Sequence, residues 1–276
     1  MAMHLHVFGF GFTAQALADL MPIHSQTQRI TPPEATRAAL QATTHLLITA
    51  PPGADGDPCL ARFSASIRAA PHLCWIGYCS TTGVYGDRGG GVVDETSLPA
   101  PGQPRSVMRL AAEQAWRDIR PDLPLDLLRL AGIYGPGRCA LDDLRTGRAR
   151  CIIAADHKFS RIHRIDAARA IAAAMQRPGA PGARVLHLAD DEPTPSADVV
   201  RFAARLLGLP PPPPVPLADA LAQMSPMAQS FWAESRLIAN TATKNCLDLQ
   251  WRFPSYREGL RFEAQTDGSF TLPNDL

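Results

Sequence analysis

Residues able to move protons or hold anions recur through the middle of this 276-residue chain. Ser80-Thr81-Thr82-Gly83-Val84-Tyr85-Gly86 sets hydroxyls and a phenol around a glycine turn. Arg105 and Arg109 follow, four residues apart, in Arg105-Ser106-Val107-Met108-Arg109-Leu110-Ala111-Ala112-Glu113, and Tyr134, Arg161 and His163 come later. A hydroxyl such as Thr81 can hydrogen-bond a substrate oxygen, and a phenol or imidazole can give or take a proton. A guanidinium stays protonated, so Arg109 can only bond a ligand or lend positive charge beside a developing oxyanion. Candidates for such chemistry are Thr81, Tyr85 and Arg109, with Tyr134, Arg161 and His163 as candidate substrate contacts. For both phenols the alternative is packing, with the hydroxyl bonded to a nearby loop. For Arg161 and His163 it is loop bonding beside a helix capped by Asp166.

Short apolar runs alternate with Ala/Leu/Arg-rich stretches, which is the pattern of a parallel sheet covered by helices on both faces. Strands are expected at residues 5–8, 45–49, 72–78, 125–130 and 185–189. Helices are expected at 13–20, 106–119, 166–175 and 196–207, the last capped at Pro195-Ser196. The proline run 210–214 must be extended and reads as a stiff surface connector. The expected fold class is α/β: a Rossmann-like doubly wound parallel sheet with a small mixed C-terminal substrate lobe. Residues 1–150 form its core, and 151–276 form a smaller lobe interleaved with that core.

Val7-Phe8-Gly9-Phe10-Gly11-Phe12-Thr13-Ala14 places Gly-x-Gly-x-x-Ala between the first strand and the first helix. One glycine permits the tight turn, the next lets backbone approach a pyrophosphate, and Ala14 lets the helix pack closely. Amides at the helix start then face the phosphates. A dinucleotide is implied. Its expected contacts are Gly9, Phe10, Gly11, Phe12 and Thr13, then Thr49, Ala50 and Pro51 after the 45–49 strand, and Ile133. About 20 residues past the first glycine, NAD-preferring folds place a carboxylate on the ribose. Here Ser25-Gln26-Thr27-Gln28-Arg29 has none, and Arg29 suits a 2′-phosphate. NADP is the expected cofactor, with NAD as the other dinucleotide such a fold admits. The alternative is that Arg29 is a solvated loop residue.

Taken together, these segments resemble the extended short-chain dehydrogenase/reductases, the NAD-dependent epimerase/dehydratase family. In that family a Ser/Thr stands five residues before the glycine of a Val-Tyr-Gly turn, as Thr81 does, and a Tyr-x-x-x-Lys helix ends in Ala-x-Glu. Arg129 to Gly137, Ser160 to Asp166 and Tyr256 to Leu260 resemble further family segments. The resemblance implies a Tyr acid helped by a Lys that holds the ribose, but Arg105 and Arg109 occupy those positions. Gly-x-Gly-x-x-Ala also replaces the usual Gly-x-x-Gly-x-x-Gly. These departures imply an atypical branch: either NADP-dependent redox chemistry on a hydroxylated or nucleotide-sugar-like small molecule, or a non-catalytic NADP-binding sensor. In the first case the resemblance implies catalytic roles for Thr81, Tyr85 and Arg109 and substrate contacts at Tyr134, Arg161 and His163, with Tyr85 or Tyr134 supplying the proton.

Composition narrows the remaining classes. Lys+Arg 27 against Asp+Glu 26, with no basic run, argues against nucleic acid and anionic membranes. No apolar segment approaches the roughly 18–20 residues that span a bilayer. Six cysteines without Cys-x-x-Cys pairs suit reduced thiols in a cytoplasmic protein. No His/Cys/Asp/Glu cluster has metal-ligand spacing. The expected partner is a small molecule, and the expected assembly is a monomer or homodimer.

Overall fold

The computed structural model describes residues 3–21, 33–154 and 156–266. Strand β1 (Leu5–Phe8) turns into helix α1 (Phe12–Leu20). Helix α2 (Pro33–Leu40) precedes β2 (His45–Ile48), and α3 (Pro58–Arg68) precedes β3 (Trp75–Thr81). After the short β4 (Val92–Val93) come α4 (Pro104–Ile119) and β5 (Pro124–Leu130). Next are β6 (Gly132–Tyr134), α5 (Ala140–Arg145), β7 (Cys151–Ile153), β8 (Lys158–Phe159) and β9 (Arg161–His163). Helix α6 (Arg164–Gln176) leads to β10 (Gly182–Leu188), then β11 (Thr194–Pro195), α7 (Ser196–Leu206) and β12 (Pro214–Pro216). Last come α8 (Leu217–Leu221), α9 (Pro226–Trp232), β13 (Leu237–Ile238), α10 (Thr241–Leu247) and α11 (Tyr256–Thr266).

Among the described residues the central sheet runs β1-β2-β3-β5-β10, and every neighbouring pair is parallel. A parallel sheet must be covered on both faces, so its strands read as continuous apolar runs rather than alternating ones. Side chains nevertheless alternate between the two cores. Leu47, Leu128 and Leu130 join the layer of α1 and α6, while Leu46, Ile48, Leu125 and Leu127 join Phe63 of α3 and Trp116 of α4. Both α6 and β10 lie beyond residue 150, so the sheet and its helical layer draw on the later part of the chain.

Three local expectations shift. The third strand spans Trp75–Thr81 rather than 72–78, because Ser80 and Thr81 still pair with Arg129 and Leu130 of β5. Helix α7 starts after Pro195 without a side-chain cap, so Ser196 does not cap it. The proline run ends in β12, which pairs in parallel with β7 from Cys151 to Ile153. None of the six cysteines is paired, and no described helix is long and apolar enough to cross a membrane.

Candidate active site

Because the strands are parallel, β1, β2, β3 and β5 all deliver their carboxyl ends to the same edge of the sheet, where ligands of such folds bind. A cleft of about 930 Å³ opens there. Its inner end is built by the turn after β1. Gly9 adopts φ +89°, and a Cβ on it would lie 2.7 Å from the Ala50 amide nitrogen and 2.9 Å from Thr49 Oγ1. Only glycine fits both that backbone and that approach. Thr49 secures the turn by donating its hydroxyl to the Gly9 carbonyl at 2.7 Å.

Gly11 differs. It precedes α1 with no side-chain cap, and a Cβ there would meet nothing within 4 Å. The start of α1, which takes no side-chain cap, thus borders the cleft through Gly11, Phe12 and Thr13, a position that suits an anionic phosphate group. Gly11, Phe12, Thr13, Thr49 and Ile133 line the cleft as expected sites should. Gly9, Phe10, Ala50 and Pro51 do not. Phe10 packs on the core, Ala50 abuts Gly9, and Pro51 is exposed. Arg29 lies outside the described residues.

Thr81 lines the cleft at the end of β3, and its Oγ1 accepts the Gly83 amide at 3.1 Å. Arg109 lines it from α4, donating to the Tyr78 hydroxyl at 3.2 Å and the Cys79 carbonyl at 3.0 Å. One turn earlier, Arg105 donates to Ser230 Oγ, and its guanidinium sits 4.1 Å from the Phe231 ring centroid. Burial pushes the Cys79 thiol, also on the lining, up to about 12, so it stays protonated and unreactive.

Two expected site residues turn away. Tyr85 is fully buried and does not line the cleft. Its phenol oxygen accepts from Arg129 at 2.8 Å and meets His187 Nε2 at 2.5 Å. Burial raises its pKa, with Arg129 opposing, so the role of substitute acid is corrected to that of an interior hydrogen-bonding group. His163 is also fully buried. Its Nδ1 accepts the Ile165 amide at 3.2 Å and so caps α6, while Nε2 bonds Glu263 at 2.7 Å. Both ring nitrogens are spent, so it is a structural residue and not a substrate contact. Asp166 is not the cap, because it accepts the Arg252 and Phe253 amides at 2.8 Å.

Tyr134 of β6, opposite His163, and Arg161 of β9, opposite Gly132, do line the cleft. The Tyr134 hydroxyl donates to the Ser255 carbonyl at 3.4 Å, and burial lifts its pKa far above that of an ordinary phenol. Arg161 donates to the Phe159 and Thr194 carbonyls at 2.8 and 2.9 Å, and burial pulls its pKa down.

Sequence reasoning missed two groups. The first is a buried polar chain: Ser80 donates to Glu113 at 2.5 Å, Glu113 takes two bonds from Arg129, and Arg129 leads on to Tyr85 and His187. Glu113 stood out as part of Ala-x-Glu, which hinted at it, but its partners did not. The second is the aromatic set Phe159, Phe231 and Trp232 on the outer lining, which no motif marked.

No protein-family model matches the chain. The 3-diazoavenalumate denitrifying reductase of a Streptomyces species is 30% identical over 246 residues, covering 83% of this chain and 73% of its own. A functionally unknown conserved protein from Silicibacter pomeroyi is 41% identical, with 97% and 99% of the two chains covered and a TM-score of 0.84. Human epimerase family protein SDR39U1, solved with NADPH, shares the fold at 18% identity. That match covers 95% of this chain and 99% of the human one at a TM-score of 0.76.

Proposed function

The chain belongs to the extended short-chain dehydrogenase/reductase family, of the NAD-dependent epimerase/dehydratase type, and from that premise we propose that it is an NADP-dependent reductase of a small molecule. The observation that carries this reading is the start of α1, which has no side-chain cap and borders, through Gly11, Phe12 and Thr13, the cleft that Thr81 and Arg109 also line. The amides there would hold the phosphates. Arg109, in the position of the family's lysine, would hold the ribose or place positive charge where negative charge builds. Thr81 would orient the acceptor. When bound, the reduced dinucleotide supplies the hydride.

The missing piece is the proton donor. Arg105 cannot release a proton, Tyr85 faces inward, and Tyr134 is a weak acid held by Ser255. Reducing a carbonyl on a hydroxylated or nucleotide-sugar-like substrate puts hydride on carbon and needs a proton on oxygen, for which Tyr134 is the phenol on the cleft. An electron-poor centre that expels a leaving group as hydride arrives needs no such acid. Similarity to a denitrifying reductase favours this second kind of acceptor. The same loss of an acid favours a non-catalytic NADP sensor as the competing reading.

Calorimetric titration of NADPH and NADH into wild type and Arg29→Ala tests the proposal. NADPH should bind about tenfold or more tightly than NADH, and Arg29→Ala should erase the difference. Binding of neither dinucleotide overturns the reading. Binding without NADPH oxidation across a panel of reducible acceptors decides for the sensor.

A further inference from the structure

The outer half of the cleft is built differently from the inner half. Arg105 lies over Phe231 and bonds Ser230. Next to Phe231 in the chain, Trp232 meets Phe159 edge-on at 4.9 Å between centroids, and Phe159 lies 5.8 Å from the Arg161 guanidinium. All six side chains line the cleft. The result is a wall of three aromatic rings with a guanidinium at each end. Phe231 is 55% exposed there, an uncovered apolar surface of the kind that marks a binding site when it forms part of a patch.

Charge on this lining is lopsided. Eight Lys and Arg side chains line the cleft against two carboxylates, and each carboxylate has a basic partner: Asp143 pairs with Arg148, and Glu234 pairs with Arg236 through Oε2 while its Oε1 has no partner among the described residues. Among those residues, Arg148 and Arg236 are the lining cations that pair with a carboxylate, and Arg105 and Arg161, the two that border the rings, have none. Arg161 spends donors on two carbonyls and is anchored, whereas Arg105 engages a single serine hydroxyl and keeps donors for an anion. A guanidinium fork matches a carboxylate in two parallel bonds. The cleft, at about 930 Å³, is at the upper end of the range for one drug-sized ligand, about 300–1,000 Å³, and rings beside a guanidinium with free donors fit a compact aromatic anion.

We propose that this outer half binds a small aromatic carboxylate, its ring on the Phe159–Trp232–Phe231 wall and its carboxylate on Arg105. This names the substrate class of the reductase site and rests on that reading. Arg105 thereby gains a function where a tyrosine acid was lost: it selects an anion instead of moving a proton.

The test is calorimetry on NADPH-saturated protein with cinnamate, its neutral amide cinnamamide, and UDP. Cinnamate should bind about tenfold or more tightly than cinnamamide. Arg105→Ala should abolish that preference while amide binding stays within about twofold, and Arg105→Lys should restore only part of it. Phe231→Ala, at an exposed ring, should weaken acid and amide alike. Cinnamate should also quench tryptophan emission in wild type and not in Trp232→Phe, because Trp75, Trp116 and Trp251 are buried. Equal affinity for acid and amide, an unchanged preference in Arg105→Ala, or UDP binding more tightly than cinnamate would overturn the inference. NADPH affinity is read in the same titrations. Failure to bind NADPH sinks the reductase reading, while NADPH binding without an acid preference sinks only this one.

Discussion

Glu113 and Arg105 stand on the same helix, two turns apart, and meet opposite fates. Glu113 is 1% exposed and takes hydrogen bonds from Ser80 and from Nε and Nη2 of Arg129. The chain continues through Tyr85 to His187, whose amide donates to Thr243, and the Thr243 hydroxyl donates to Glu95. Nothing in it lacks a partner. Arg105, with Arg109 and Arg161, sits in a lining where no guanidinium of the three reaches a carboxylate among the described residues. A buried charge is tolerable only when paired, whereas a half-exposed unpaired one is an invitation to a ligand. Ser80 joins the two regions, lining the cleft while bonding Glu113. The closed network therefore serves the fold, and the open cluster is where the proposed ligand would bind.

That division can be broken by substitution. The largest effect is expected at Glu113→Ala, which leaves Arg129 buried without a counter-ion. Stability should fall by about 3–5 kcal/mol, read as a denaturant midpoint, and a loss below about 1 kcal/mol would show that the network is not closed. Gly9→Ala comes next, with a strained backbone and a clash against Ala50 costing about 1–3 kcal/mol. Gly11→Ala, only two residues away, should leave stability within about 0.5 kcal/mol and weaken NADPH instead. If the two glycines behave alike, the inner cleft is not a ligand cradle. The smallest effect is in pH. Burial holds His187 neutral and lowers its pKa, so the unfolded chain takes up a proton first as pH drops. The stability from this histidine is complete above about pH 6.5, the unfolded value, and erodes below it by up to about 1.4 kcal/mol per pH unit. His6 and His45 shift in the same direction, so the comparison that matters is a shallower slope in His187→Gln than in wild type.

The glycine turn and the parallel sheet were legible because their signals are local. Gly9, Gly11 and Ala14 lie within one short stretch, and the apolar runs of β2 and β5 declare strands buried on both faces. Which side chains face the cleft was not legible, because that depends on distant partners. Tyr85 is drawn inward by Arg129 and by His187, 44 and 102 residues away in sequence. His163 is claimed by Glu263, 100 residues on. Arg105 is met by Ser230 across 125 residues. A tyrosine or histidine in a motif announces what it could do, and only the folded chain decides whether its polar atoms are already spent.

Helix α11 holds the rear of the cleft. A Cβ at Gly259 would lie 2.1 Å from the Tyr134 phenol oxygen, so ring and helix backbone are in direct contact. Ser255, just before the helix, accepts the Tyr134 hydroxyl, and Glu263 within it fixes His163. A domain folds as a unit, so a chain still lacking Ser255 and α11 leaves Tyr134 and His163 without the partners that hold them, and the wall carried by β6 and β9 is finished only when that helix docks.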